Sequence, residues 1–169
     1  EFIKDIGTPE RYDRVQAEFA AGIIQRSSLE TPQRAVFLDR DGTLIVDRDC
    51  LRNAEGLELL PGVAEAIHLL NHNGWRTVVV TNQPVIAKGW CDEAELRRIH
   101  NKLETLLGQE HAFLDRIYHC PHHPAKGFAG ERPELKIDCA CRKPKIGMIQ
   151  QAAAELNIDL AQSWMIGDT

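Results

Sequence analysis

Cys120 and His122 form a C-x-H pair, and Cys139 and Cys141 a C-x-C pair, at the two ends of one loop, CPHHPAKGFAGERPELKIDCACRKP. Three thiolates and one imidazole are a complete tetrahedral set for Zn²⁺, and a complete set leaves no open position for chemistry. The spacing therefore predicts a structural zinc that ties the loop down and leaves catalysis to other residues. His123 is the competing imidazole, left free for solvent or substrate, and Cys50 and Cys91 have no partners of this kind.

Asp39 and Asp41 lie two residues apart in DRDGT (39–43). In extended backbone, alternate residues face the same side, so both carboxylates would point into one crevice, with Gly42 permitting a tight turn behind them. Two carboxylates this close can divide the labour, one ionised as nucleophile and the other carrying a proton. Read alone, the same letters also describe an acidic turn. Thr81 and Asn82, at the end of VVVTNQ (78–83), offer a hydroxyl and an amide to a phosphoryl oxygen. Lys143, in RKP beside the cysteine loop, is a point charge suited to an anion. Asp168, in IGD, could join Asp39 and a backbone carbonyl as hard oxygen ligands for Mg²⁺.

Strands and helices must position these groups. RAVFLD (34–39) and RTVVVT (76–81) are short apolar runs suited to strands buried on both faces of a parallel sheet. Between them, PGVAEAIHLLNHNG reads as a helix. A second helix runs from Asp92 to Leu107 with Leu96, Ile99, Leu103 and Leu106 as its buried stripe. LDRIYHC (114–120) is a third strand, 145–157 another helix through Met148, Ile149, Ala152 and Leu156, and SWMIGD (163–168) a final strand. Alternation at this spacing predicts an α/β fold, a doubly wound, mainly parallel sheet with flanking helices. Ligands of such sheets bind beyond the carboxyl ends of the strands, where Asp39, Thr81 and Asp168 fall. Residues 1–33 stand apart as an N-terminal helix and linker, with Tyr12, Val15, Phe19 and Ile23 at helical spacing behind Thr8-Pro9-Glu10, then a polar connector at 26–33. The domain proper is expected over 34–169.

The 169 residues suffice for one domain, and 43% hydrophobic with 27% charged residues is a globular composition. A net charge of −5 without a long basic run argues against nucleic acid or an anionic membrane as partner. No apolar run approaches the roughly 20 residues that span a bilayer, and the first residues lack a secretion-signal pattern. Four of five cysteines make better ligands than disulfides, which points to the cytoplasm.

Together DxDGT, T-N, K-P and GD resemble the haloacid dehalogenase superfamily of phosphohydrolases. DRDGTL, TNQ, IAKG, CPHHP, CxCRKP and IGD look more specifically like the branch that hydrolyses D-glycero-D-manno-heptose 1,7-bisphosphate at its 7-phosphate, and like the related histidinol-phosphatases. The likeness runs over residues 35–169. It implies that Asp39 attacks phosphorus to give an aspartyl-phosphate, and that Asp41 protonates the departing oxygen and then activates water. It further implies that Thr81 and Lys143 hold phosphoryl oxygens and that Asn82 assists them. Arg142 would face substrate, Mg²⁺ would sit on Asp39, the carbonyl of Asp41 and Asp168, and zinc on Cys120, His122, Cys139 and Cys141. About 20 residues between Asp41 and the first helix are too few for a cap domain, so a capless enzyme is implied. The chain departs from the pattern at Pro84-Val85, where relatives often carry Ser-Gly, and at Lys88, where Arg is common. Relatives also continue past the position of Thr169, so a shortened C-terminus is expected. The front end, FIKDIGTPERYDRVQAEF, resembles the close of sugar-phosphate nucleotidyltransferases, which implies a fused or associated transferase. The rival activity is histidinol phosphate hydrolysis, and the rival class a catalytically silent zinc-bearing interaction module.

Overall fold

A computed structural model describes residues 6–168 of the chain. Its centre is a four-stranded sheet in the order β3-β2-β1-β4, formed by β1 (Ala35–Leu38), β2 (Arg76–Asn82), β3 (Arg116–Cys120) and β4 (Trp164–Ile166). Every neighbouring pair is parallel, with Val36 opposite Thr77 in β2 and opposite Trp164 in β4. Because β1 pairs with β2 on one side and with the last strand on the other, the topology reverses direction beside β1. Crevices at such reversals are where open α/β sheets bind ligands.

The residues of β1 and β2 are apolar on both faces because helices cover both, whereas β4, at the edge, is exposed. Val36, Leu38 and Val79 pack on one side with Ile67 of α3 (Val63–His72) and with Leu96, Ile99, Leu103 and Leu107 of α4 (Glu93–Gln109). Ala35, Phe37, Val78 and Val80 pack on the other with Met148, Ala152 and Leu156 of α5 (Gly147–Leu156). Residues Leu44, Ile45, Leu51 and Leu57, from the stretch that follows Asp41, join the first core, so this segment folds down onto the domain as a loop. In α4 the buried stripe closes on Leu107, with Leu106 only partly buried. The helix starts as expected, the Asp92 carboxylate accepting from the Glu95 amide at 2.7 Å.

Two helices precede β1: α1 (Pro9–Ala20) and α2 (Ile23–Ser27). The apolar spacing Tyr12–Phe19–Ile23 does not form one continuous face. Gly22 takes φ +70°, breaking the helix so that Ile23 begins a new one, and no residue of α1 is buried. The connector to β1 is fixed by Gln33, whose amide donates to the carbonyls of Arg26, Ser28 and Thr31. Among the described residues no helix is long and apolar enough to cross a membrane.

Candidate active site

β1 delivers Asp39 to the carboxyl edge of the sheet, where its amide donates to Ile166 O at 2.9 Å and so extends the β1–β4 pairing by one residue. One carboxylate oxygen accepts from the Arg40 amide at 2.7 Å, and the other meets the Lys143 ammonium. Both side chains keep a small exposed fraction, 14% for Asp39 and 20% for Lys143, so the pair lines an open crevice. Lys143 is held by its main chain: the Asn82 side chain, at the end of β2, accepts from its amide at 2.9 Å and donates to its carbonyl at 3.2 Å. Asn82 thus places Lys143 with its oxygen and one N–H, and its second N–H is left over for another acceptor.

Thr81 is buried, and its hydroxyl oxygen accepts from Gln83 Nε2 at 2.9 Å. The same Gln83 nitrogen donates to Asp41 at 2.8 Å, and Arg40 grips both Asp41 oxygens, from Nε at 3.1 Å and Nη2 at 3.0 Å. Asp41 therefore does not share the Asp39–Lys143 contact. Gly42, with φ +73°, turns the chain immediately after it, and the Asp168 carboxylate fills the space where a side chain would begin: a Cβ here would lie 2.7 Å from Asp168 Cγ. Hydrogen bonds and contacts thus join Asp39, Asp41, Thr81, Asn82, Lys143 and Asp168 round one edge of the sheet.

β3 ends at Cys120, which is wholly buried, and the following loop brings His122, Cys139 and Cys141 to it. The four donor atoms all lie within 4.8 Å of one another, with neighbouring separations from 3.1 to 3.6 Å. A tetrahedral ion with two or three sulfur ligands asks for edges of about 3.6–3.8 Å, so the cluster needs only slight expansion to hold one. Burial and the Cys141 sulfur raise the Cys120 thiol, a penalty that a bound cation reverses. Arg142 donates to His122 O at 3.1 Å and so braces this loop.

Cationic side chains and aromatic rings crowd the adjoining loops. Arg52 and Lys88 lie 4.3 and 4.5 Å from the Trp90 ring, and Lys88 and Lys136 lie 4.9 and 4.6 Å from that of Phe128. Burial, followed by the charges of Arg142, Lys88 and Lys136, lowers His123, whose buried Nδ1 has no hydrogen-bond partner. Sequence reasoning passed over Arg40, Gln83 and His100. Arg40 was visible only as the letter between two aspartates, and strand alternation would have aimed it away from them, whereas its guanidinium folds back onto Asp41.

A parallel α/β sheet carrying an aspartate–lysine pair at its reversal point, with a second aspartate delivered by the neighbouring strand, is the framework of an aspartate-based phosphatase. The chain belongs to the haloacid-dehalogenase-like phosphatases, within the family described as polynucleotide kinase 3 phosphatase, which matches residues 34–169. It is 41% identical over 137 residues to D-glycero-beta-D-manno-heptose-1,7-bisphosphate 7-phosphatase of Haemophilus ducreyi, covering 80% of this chain and 72% of that protein. Against the Escherichia coli (strain K12) protein of the same name it is 41% identical over 134 residues, 79% of this chain and 68% of the relative. Its fold is similar to a crystal structure of D,D-heptose 1,7-bisphosphate phosphatase from B. bronchiseptica complexed with magnesium and phosphate. The TM-score is 0.70 at 36% identity, over 81% of this chain and 71% of that one.

Proposed function

We propose that this protein is a Mg²⁺-dependent phosphatase that removes the 7-phosphate of D-glycero-D-manno-heptose 1,7-bisphosphate through an aspartyl-phosphate. The observation that carries this is the Asp39 carboxylate at the sheet's reversal point, exposed enough to react and already partnered by the Lys143 cation. An Asp39 oxygen attacks phosphorus and the bond from phosphorus to the sugar oxygen breaks. Asp41 gives its proton to that oxygen, since an alkoxide is a poor leaving group. The resulting Asp41 carboxylate then takes a proton from water, which attacks the acyl phosphate, releases inorganic phosphate and restores Asp39. Lys143 and the Thr81 hydroxyl stabilise the charge that builds on the phosphoryl oxygens.

Asp39, Asp168 and the Asp41 carbonyl are hard oxygen donors of the kind Mg²⁺ prefers, and the close seat of Asp168 against Gly42 supports such a set. When bound, that ion offsets repulsion between the anionic nucleophile and an anionic phosphate. Cys120, His122, Cys139 and Cys141 would hold Zn²⁺, which fixes the loop leading to Arg142 and Lys143. The relatives' names supply the heptose, and the cations Arg52, Lys88 and Arg142 favour a second phosphate over the ammonium of histidinol phosphate. Residues 1–33 are proposed as an N-terminal helix and linker, consistent with the lack of any buried residue in α1, the linker being tied to the domain by hydrogen bonds at Ser27, Leu29 and Gln33. The test measures phosphate release from heptose bisphosphate and from histidinol phosphate, with and without Mg²⁺. Equal turnover of both would remove the sugar assignment, and phosphate release undiminished in Asp39→Asn would falsify the mechanism.

A further inference from the structure

Arg40 separates the two aspartates and is completely buried. A guanidinium stays charged at any accessible pH, and a buried charge is tolerated only when it is paired and hydrogen-bonded. Its partners are specific. The fork made by Nε and Nη2 grips both oxygens of Asp41, Nη2 also donates to Gln83 Oε1 at 2.8 Å, and Nη1 lies 3.3 Å from His100 Nε2. Burial first, then the Arg40 cation and His119, push His100 down to about 3, so this imidazole is neutral and can accept from Arg40. The other charged groups close by are Arg97, which lines the same cleft as His100, and Glu93, 3.3 Å from His119 Nε2, whose ring stands 5.7 Å from that of His100. Gln83 closes the circuit. With its oxygen committed to Arg40, its nitrogen must face Asp41 and Thr81, which fixes the amide in one orientation.

Asp41 receives three donated hydrogen bonds from this circuit, one on Oδ1 and two on Oδ2. Oδ1 keeps a lone pair for a travelling proton, whereas Oδ2 is saturated by the Arg40 Nε and Gln83 donors. The circuit thus differentiates two oxygens that are chemically alike.

We infer that Arg40, supported by Gln83 and His100, is the positioning residue for proton transfer by Asp41, orienting its carboxylate so that Oδ1 faces the oxygen that leaves. This rests on the reading of Asp41 as the proton donor. It predicts that, in the transfer of phosphorus to Asp39, disturbing the circuit harms only leaving groups that need a proton. The later hydrolysis, in which Asp41 acts as base for either ester, is kept out of the readout by following release of the sugar or the phenol. Arg40→Lys keeps the charge and loses the fork, Gln83→Met removes one Asp41 donor, and His100→Leu removes the support behind Arg40. Each is measured in the full chain by single-turnover kinetics on the sugar bisphosphate and on p-nitrophenyl phosphate, whose phenolate departs unaided.

The expected result is a first turnover slowed about 100-fold on the sugar ester and less than about 3-fold on the aryl ester, the scale of general acid catalysis. Circular dichroism verifies folding. Should Arg40→Lys not fold, Gln83→Met and His100→Leu decide the matter. Variants that lose both esters equally, or neither, overturn the role given to Arg40 while the phosphatase reading stands. A wild-type protein that cleaves neither ester overturns that reading as well.

Discussion

Stripping the ion from Cys120, His122, Cys139 and Cys141 is expected to loosen the fold and disable the catalytic edge together. The magnitude follows from the geometry of the link. The ligand set joins β3 to a point 21 residues further along, since Cys120 and Cys141 are that far apart in sequence. A cross-link closing a loop of this length stabilises by about 3 kcal/mol when treated as a restriction of the unfolded chain. For a domain of this size each kcal/mol moves the thermal midpoint by about 2–4 °C, so removal should lower it by about 6–12 °C. Lys143 stands two positions beyond Cys141, and among the described contacts its placement rests on Asn82 and the Asp39 pair, so turnover should fall with the midpoint. The assay is differential scanning fluorimetry and phosphate release after treatment with a zinc-selective chelator, with Mg²⁺ kept in excess, followed by re-addition of zinc. Cys139→Ser should reproduce the loss without chelator. Purified protein containing no zinc, or a midpoint that moves by less than about 2 °C on stripping, would refute the reasoning.

Gly42→Ala should raise the Mg²⁺ concentration needed for half-maximal activity, because it adds a side chain at φ +73° and drives it into Asp168. An unchanged Mg²⁺ titration would disconnect Asp168 from the metal. Lys143→Met should lower kcat by at least about 100-fold, the usual cost of losing one charge-stabilising donor, and a loss confined to KM would show a purely binding role. His100 sets a pH dependence. Its folded-state value of about 3 lies below the ordinary 6.5, so between these values the unfolded chain binds the extra proton and stability falls as pH drops through that window. The loss reaches at most about 5 kcal/mol once both values are passed. Urea midpoints at pH 7 and pH 4.5 should therefore diverge less in His100→Leu than in the parent, and equal divergence would contradict the assignment.

The strands that carry Asp39 and Thr81 were legible because a sheet buried on both faces leaves an unbroken apolar run that stops at the first polar residue, and β4, which leads to Asp168, keeps such an apolar run although it is exposed here. The same holds for Leu96, Ile99 and Leu103, whose spacing follows the helical period. Arg40 was not legible. What allows a charge in that position to be buried is an amide 43 residues away and an imidazole 60 residues away, and neither spacing leaves a local mark. Asn82 shows the same limit: its strand-end position suggested a ligand contact, and left unmarked its second partner, the main chain of a residue 61 positions on. In the N-terminal segment the apolar period was real, but one glycine in left-handed geometry broke it. Periodicity reports which face is apolar and says nothing of whether anything covers it.

The parallel pairing of β1 with β4 also bears on when this molecule becomes competent during synthesis. Asp39 emerges from the ribosome well ahead of Asp168, which arrives only after β4. Until β4 docks along β1, the growing chain holds a reactive carboxylate without its neighbour across the seam. On the proposed mechanism, hydrolysis would be withheld until translation has passed β4, and a ribosome stalled before it would present the Asp39 carboxylate without Asp168.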